Sequence, residues 1–146
     1  MEQKNKILSV SKDLHIRFSE VNSSGAVSHS FYAIYFEDAR EAFGAKYKLE
    51  YLKIAEFGFF APLVQLSFNF IKPITYSMHP RIEITYVPTE AAKIVFDYKI
   101  FDTKTGELLT TGRSIQVFLD FDYQLVWATP EFYNKWKAMW GLPSES

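Results

Sequence analysis

Three residues whose types suit carbonyl chemistry lie close together near the start of the chain: Asn22, Gly25 and His29. Asn-Ser-Ser-Gly is typical of a turn, and the residues after it change to a helical spacing of apolar side chains. A turn that enters a helix presents backbone N–H groups without acceptors and the positive end of the helix dipole. Such groups can polarise a carbonyl and stabilise an oxyanion, and Gly25 lets the backbone approach a ligand closely.

These three residues do not identify the group that would activate a nucleophile. Asparagine is no base at neutral pH, so Asn22 can only hold a water or a carbonyl by hydrogen bonds. Glu20 lies two residues earlier, on the same face if the chain stays extended, and could supply a carboxylate. His29 could act as general base or only hydrogen-bond the backbone or a partner subunit. Asn22 and Gly25 are also ordinary turn formers.

Two elements would position this turn. An alternation of apolar and polar residues predicts a strand over about 13–21 that leads into it. From about residue 28 apolar residues recur three and four apart, which predicts a long helix over about 28–47. Ser28 or Ser30 would cap that helix.

The rest of the chain reads mainly as strands. Alternation predicts an antiparallel set over about 63–71, 81–87, 92–102, 107–120 and 124–127. A short helix over 49–57 would end at Gly58, and a C-terminal helix over about 130–140 would be capped by Thr129.

One sheet against one long helix is an α+β architecture. The pattern predicts a single domain over 1–146, with its core over about 13–127. Because a single helix covers only one face of such a sheet, two protomers joined at their sheet edges would make a plausible symmetric dimer.

The segment from Arg17 to Phe43 also carries a family pattern in order and spacing: Asn22, Gly25, Val27, His29, Tyr32, Tyr35, Phe36, Glu37, Ala39 and Arg40. Together with Phe59–Val64 and Phe70–Pro73, it resembles the hot-dog-fold thioesterases of the 4-hydroxybenzoyl-CoA thioesterase type. The resemblance spans about residues 14–120. It implies a hot-dog fold, an antiparallel sheet wrapped around one long central helix. It further implies hydrolysis of an acyl-CoA or acyl-carrier-protein thioester, without metal or cofactor, at the protomer interface of a homodimer or homotetramer.

The chain departs from that family at one position. A carboxylate stands in the family where Asn22 stands here. Hot-dog thioesterases of enediyne polyketide pathways look similar at this point, and they use the asparagine together with an arginine on the long helix. That resemblance implies Asn22 and Arg40 as a pair. The alternatives are a degenerate protein that binds acyl thioesters without hydrolysing them, and a hydroxyacyl-thioester dehydratase.

The predicted site follows from both arguments. Its catalytic candidates are Asn22, Glu20, His29 and Arg40. Its substrate-binding candidates comprise the N–H groups of the turn, aromatic residues for an acyl or aryl tunnel, and a lysine for a phosphate: Gly25, Ala26, Val27, Tyr32, Phe59, Phe60 and Lys72.

Composition excludes several other functions. There are no cysteines among the 146 residues, so thiolate metal sites, disulfides and cysteine nucleophiles are ruled out. The three histidines have no metal-ligand spacing. A net charge of -1 gives no general attraction for nucleic acid or membrane. The first six residues lead into no apolar stretch, so no signal peptide and a cytoplasmic location are predicted.

Overall fold

The computed structural model describes residues 7–143, so the N-terminal residues used to predict the absence of a signal peptide lie outside it. Its helices are α1 (Tyr32–Tyr47), α2 (Tyr51–Glu56) and α3 (Glu131–Met139). Its strands are β1 (Ser9–Asp13), β2 (Phe59–Phe60), β3 (Leu63–Phe70), β4 (Pro80–Val87), β5 (Lys93–Asp102), β6 (Leu108–Val117) and β7 (Leu119–Asp120). No helix between residues 7 and 143 is long and apolar enough to cross a membrane.

Five strands form one antiparallel sheet in the order β1-β4-β5-β6-β3, while β2 and β7 pair separately. Helix α1 packs across one face of this sheet. Its Phe36 ring stacks on Tyr98 of β5 at 3.9 Å, and Phe43 meets Phe96 edge-on at 4.8 Å. The α+β arrangement predicted from the sequence, an antiparallel sheet against one long helix, is confirmed.

The opposite face of the sheet is polar. Arg113 of β6 donates two hydrogen bonds to Asp97 of β5, at 2.6 and 3.0 Å, from positions that are about half exposed. Alternating residues on a strand point to opposite faces, so the helix-covered face holds the aromatic residues and this face holds the charges.

Several predicted boundaries are wrong. Strand pairing ends at Asp13, and the predicted strand over 13–21 instead contains a 3-10 turn, Phe18–Glu20. The Glu20 carboxylate accepts the Arg17 N–H at 3.1 Å, which favours this turn over an extended chain. The strand predicted over 124–127 is only one bridge, between Leu119 and Leu125.

The helix starts also differ from the prediction. The long helix opens with a 3-10 turn, His29–Phe31, and Ser28 at its N-cap makes no capping side-chain hydrogen bond. The C-terminal helix begins at Glu131, with Pro130 rather than Thr129 at the N-cap position.

Buried tyrosines make the fold sensitive to alkali. Burial raises the pKa of Tyr86 to about 12, although its hydrogen bond with Tyr133 acts in the opposite direction. The unfolded chain loses this proton near pH 10, whereas the folded chain keeps it. Stability is therefore full below pH 10 and falls as the pH rises towards 12, by about 1.4 kcal/mol per pH unit for one such tyrosine.

This predicts that the free energy of unfolding, measured in urea from pH 8 to 11, declines above pH 10. Tyr86→Phe should make the decline shallower, while Tyr123→Phe, which removes an exposed hydroxyl, should leave it unchanged. An identical decline in the wild type and Tyr86→Phe would contradict the prediction.

Candidate active site

The turn between the first strand and the long helix is closed by backbone hydrogen bonds. The Gly25 N–H donates to the Asn22 carbonyl at 3.0 Å, and the Asn22 N–H donates to the Ala26 carbonyl at 2.9 Å. Gly25 has a φ of 85°, in the left-handed region where a side chain is disfavoured. The sequence Asn-Ser-Ser-Gly therefore supplies the conformation that brings residues 22 and 26 together.

The Asn22 side chain has a fixed orientation within this turn. One of its terminal atoms receives the Ser24 N–H at 3.0 Å and the Ser24 hydroxyl at 2.5 Å. A backbone N–H can only donate, so that atom is the oxygen, Oδ1. The amide nitrogen Nδ2 has no partner among residues 7–143, and both its protons are available to a ligand. Asn22 is thus presented as a hydrogen-bond donor.

A cavity of about 300 Å³ lies beside this amide, and we call it the Asn22 cavity. Its walls come from the turn, from the start of the long helix and from the segment after β3. The lining residues are Asn22, Ser24, Ala26, Val27, His29, Tyr32, Phe70, Ile71, Lys72 and Pro73. Six of the predicted site residues therefore meet here, from Asn22 to Lys72.

Aromatic contacts hold His29 in this cavity. Its ring stacks on Phe70 at 4.1 Å with an interplanar angle of 13°, and Tyr32 lies edge-on to it at 5.9 Å. Stacking occupies the ring faces and leaves the nitrogen atoms at the ring edge. Tyr32 itself is buried, and burial raises the pKa of its hydroxyl, so it stays neutral and forms the cavity floor.

Only part of the predicted oxyanion hole remains available. The Gly25 N–H is used in the turn, and the Val27 N–H donates to the Ile74 carbonyl at 2.8 Å. The Ala26 N–H has no backbone acceptor within the described part of the chain. The prediction that all three N–H groups would serve is therefore wrong for two of them, because the loop after β3 takes one and the turn takes the other.

Glu20 lies outside the Asn22 cavity. Its side chain is buried and accepts the Tyr35 hydroxyl at 2.7 Å, so its carboxylate joins the loop to α1. Burial, and after it the carboxylate of Glu20, raise the pKa of Tyr35, which keeps this hydroxyl a donor. The expectation that Glu20 faces the same side as Asn22 is wrong, because the 3-10 turn replaces the extended strand.

Arg40 is also not brought to Asn22 within one chain. It lies eight residues beyond Tyr32 on the long helix, or about 12 Å along the axis. Its guanidinium Nη1 donates to the Tyr98 hydroxyl at 3.0 Å, between α1 and the sheet.

The two phenylalanines predicted to line an acyl tunnel lie elsewhere. Phe59 packs edge-on against Phe118 at 6.3 Å, and Phe60 stacks near the exposed Tyr123 at 5.6 Å. Both belong to the small β2–β7 pair, so neither lines the Asn22 cavity.

The most informative residue missed by sequence reasoning is Ser24. It fixes Asn22 by two hydrogen bonds, and the spacing Asn-x-Ser is a recognisable signal for such an Asx turn. No three His, Asp or Glu side chains between residues 7 and 143 come together as metal ligands would.

The hot-dog arrangement, an antiparallel sheet against one long helix, defines the class of protein. The family model described as the thioesterase-like superfamily matches residues 16–136. The chain belongs to this superfamily, and the family resemblance seen in the sequence is confirmed.

Named relatives agree with this assignment. The chain is 26% identical over 114 residues to a chloroplastic acyl-acyl carrier protein thioesterase of Arabidopsis thaliana, covering 78% of this chain and 60% of the relative. The chain thus spans less than two thirds of that protein's length. It is 24% identical over 109 residues to a putative acyl-CoA thioesterase of Bacillus subtilis, covering 75% of this chain and 78% of the relative.

A solved structure supports the fold. A 1,4-dihydroxy-2-naphthoyl-CoA thioesterase from Synechocystis superposes with a TM-score of 0.78 at 18% identity. The match covers 92% of this chain and 99% of that one. The hot-dog fold predicted from the sequence is confirmed, and the family and relatives support thioester hydrolysis as the function class.

Proposed function

We propose that this chain hydrolyses an acyl thioester in the Asn22 cavity. The observation that carries the proposal is the Asn22 amide, whose oxygen is held by Ser24 while its Nδ2 protons have no partner among residues 7–143. A thioester carbonyl is already electrophilic, so donors aimed at its oxygen and an activated water are sufficient for hydrolysis.

The reaction would proceed as follows. The thioester carbonyl oxygen accepts hydrogen bonds from Asn22 Nδ2 and the Ala26 N–H. A water attacks the carbonyl carbon while the neutral His29 imidazole takes one of its protons. The negative oxygen of the tetrahedral intermediate is stabilised by the same two donors. The intermediate then expels the thiolate, which takes the proton from His29, and a carboxylic acid and a free thiol leave.

The carrier of the acyl group is part of the same proposal. The relatives are named as an acyl-acyl carrier protein thioesterase and a putative acyl-CoA thioesterase. Both carriers, CoA and acyl carrier protein, bear phosphates. Lys72 lies at the cavity, half exposed, with its ammonium 2.9 Å from Glu107. An exposed ion pair of this kind is weak, so Lys72 is available to a phosphate. A cytoplasmic location stays a prediction.

The direct experiment follows free thiol release from a panel of acyl-CoA, aryl-CoA and acyl-carrier-protein thioesters. The panel includes a 3-hydroxyacyl thioester, because a dehydratase would form an enoyl product without releasing thiol. Thiol release from at least one substrate is expected. Enoyl formation alone would contradict the proposal.

A second candidate is a binding protein without turnover. It is favoured by the absence of any Asp or Glu among the residues lining the Asn22 cavity. The same absence disfavours the dehydratase, which pairs a histidine with an acid. Saturable binding of thioesters with no thiol release would establish this second candidate.

We also propose that the chain assembles as a homodimer. Within residues 7–143, strand β3 pairs only with β6, and Val64 and Phe70 on it are exposed. An open edge with exposed apolar residues is suited to pairing with a second copy. Light scattering is expected to give twice the chain mass, or four times in a tetramer, and a monomer at micromolar concentration would contradict the proposal.

His29→Gln is predicted to lower kcat/KM about 100-fold or more, because the water loses its general base. The measurement is thiol release at neutral pH on the best substrate of the panel. His15→Gln, which alters a histidine lining a different groove, is the matched control and should keep full activity. Equal activity of the two variants would remove His29 from the mechanism.

A further inference from the structure

Arg40 is a buried cation without a counter-charge. The residue is only 7% exposed, yet no described carboxylate forms an ion pair with it. Its Nη1 donates to the Tyr98 hydroxyl, which in turn lies 2.6 Å from the Ser114 hydroxyl. Its Nε is buried and has no hydrogen-bond partner within residues 7–143. Among residues 7–143, the hydrogen-bond partners of this positive charge are hydroxyl groups.

The guanidinium nevertheless stays charged. Burial acts to lower the Arg40 pKa, but the hydroxyls of Tyr98 and Tyr51 raise it more, so the net direction is upward. A buried charge is costly unless an opposite charge or water reaches it. A bound anion would therefore neutralise the buried Arg40 charge.

Arg40 lines a cavity of about 380 Å³, which we call the Arg40 cavity. It lies between α1, α2 and the sheet, and it shares no lining residue with the Asn22 cavity. Most of its wall is apolar, formed by side chains from both helices, from the link between them and from β5: Phe43, Leu49, Ile54, Ile94 and Phe96. Its volume lies within the roughly 300–1,000 Å³ of small-molecule sites.

Two polar side chains stand beside the guanidinium. Gln116 donates to the Tyr51 hydroxyl at 3.2 Å and to the Ala61 carbonyl at 2.8 Å. The Tyr51 oxygen therefore serves as an acceptor, and its own proton is left to donate to a ligand. A guanidinium and a hydroxyl donor at one end of an apolar cavity match one carboxylate on an apolar tail.

We infer that the Arg40 cavity is a binding site for a monocarboxylate with a short apolar tail, distinct from the Asn22 cavity. The carboxylate lies on Arg40 and Tyr51, and the tail lies against the apolar wall. Glu41 and Glu50 line the same cavity and are exposed, so their charges repel a polyanion such as the phosphates of CoA. The single buried cation neutralises a single negative charge.

This inference goes beyond the proposed hydrolysis, although a free carboxylic acid is also what hydrolysis would release. It is measured by binding alone, with no substrate present. Failure of one claim is therefore distinguishable from failure of the other.

The test is isothermal titration of the purified chain with octanoate, with 1-octanol as the uncharged comparison. Octanoate is expected to bind saturably with one site per chain, and 1-octanol at least about tenfold more weakly. Arg40→Met keeps the length of an apolar stem but removes the charge, and should weaken octanoate binding about tenfold or more. Arg113→Met removes an equal charge from the far face of the sheet and should change nothing.

Two further variants shift the affinity in opposite directions. Tyr51→Phe removes one donor at a half-exposed position and should weaken binding by about two- to tenfold. Glu50→Gln removes a negative charge that repels the carboxylate, and it should tighten octanoate binding. Circular dichroism checks that each variant is folded. If Arg40→Met does not fold, Tyr51→Phe and Glu50→Gln decide the question.

The inference is overturned by any of three results. The wild type shows no saturable octanoate binding, 1-octanol binds as tightly as octanoate, or folded variants at Arg40 and Tyr51 bind octanoate as the wild type does.

Discussion

Asn22→Ala is expected to lower kcat for thioester hydrolysis about 10²- to 10³-fold, with little change in KM. This is the usual cost of removing one donor from an oxyanion hole. The Nδ2 protons gain most when the carbonyl oxygen becomes negative, so the loss falls on the chemical step. Steady-state thiol release on the best substrate of the panel gives both constants.

The two hydrogen bonds from Ser24 that orient the Asn22 amide allow a graded control. Ser24→Ala removes the 2.5 Å hydrogen bond but keeps the backbone donor at 3.0 Å, so a smaller loss is expected. Ser23→Ala changes the neighbouring exposed serine and should leave kcat unchanged. Turnover that is the same in Asn22→Ala and the wild type would exclude Asn22 from the chemistry.

Among the substitutions considered, Gly112→Ala is expected to lower the free energy of unfolding most. Gly112 lies in β6 directly under the long helix, and a methyl group there would collide with the Phe36 ring. It would also lie 2.5 Å from the Ser67 carbonyl oxygen of β3. Overpacking of this kind costs about 1–3 kcal/mol and more where the backbone cannot yield, as in a paired strand.

Urea denaturation measures this loss as a change in the free energy of unfolding. Lys99→Ala, at an exposed position of the neighbouring strand β5, is the control and should change it by less than about 0.5 kcal/mol. Adding Phe36→Leu to Gly112→Ala should recover part of the loss, because it opens space for the methyl group. A Gly112→Ala variant as stable as the wild type would show that helix and sheet are not in close contact there.

The sequence predicted the main elements well because their periodicity reflects one buried face. The strands predicted over 81–87 and 92–102 match β4 and β5 closely, and the helix predicted over 28–47 corresponds to the 3-10 turn and α1 together. Each of these has a regular apolar side that packs into the core.

The buried face of β6 could not be predicted from the periodicity of its apolar residues. In its second half, alternation marks Ile115 and Val117 as the apolar residues, yet the buried residues of that half are Ser114 and Gln116. Ser114 lies against the Tyr98 hydroxyl, and Gln116 donates to Tyr51 and Ala61. These partners come from distant parts of the chain, and no local pattern reveals them.

The candidate site could likewise be predicted only where it depends on local sequence. The turn and the helix start are local features, and they bring Asn22, Ala26 and His29 to one cavity. Glu20 is displaced from it by the local 3-10 turn, whereas Arg40 and Phe59 lie elsewhere because of tertiary packing. Family resemblance indicated one segment of the chain but not which of its side chains share a cavity.

Asn22→Asp tests the central claim most directly, because it changes the amide to a carboxylate of the same shape. The measurement is kcat for thiol release by the wild type, Asn22→Asp and Asn22→Ala on one substrate. If Asn22 acts as a donor to the carbonyl oxygen, Asn22→Asp falls at least as far as Asn22→Ala, since a carboxylate repels the oxyanion. A rise in kcat for Asn22→Asp would contradict the account and show that the site lacks a carboxylate base.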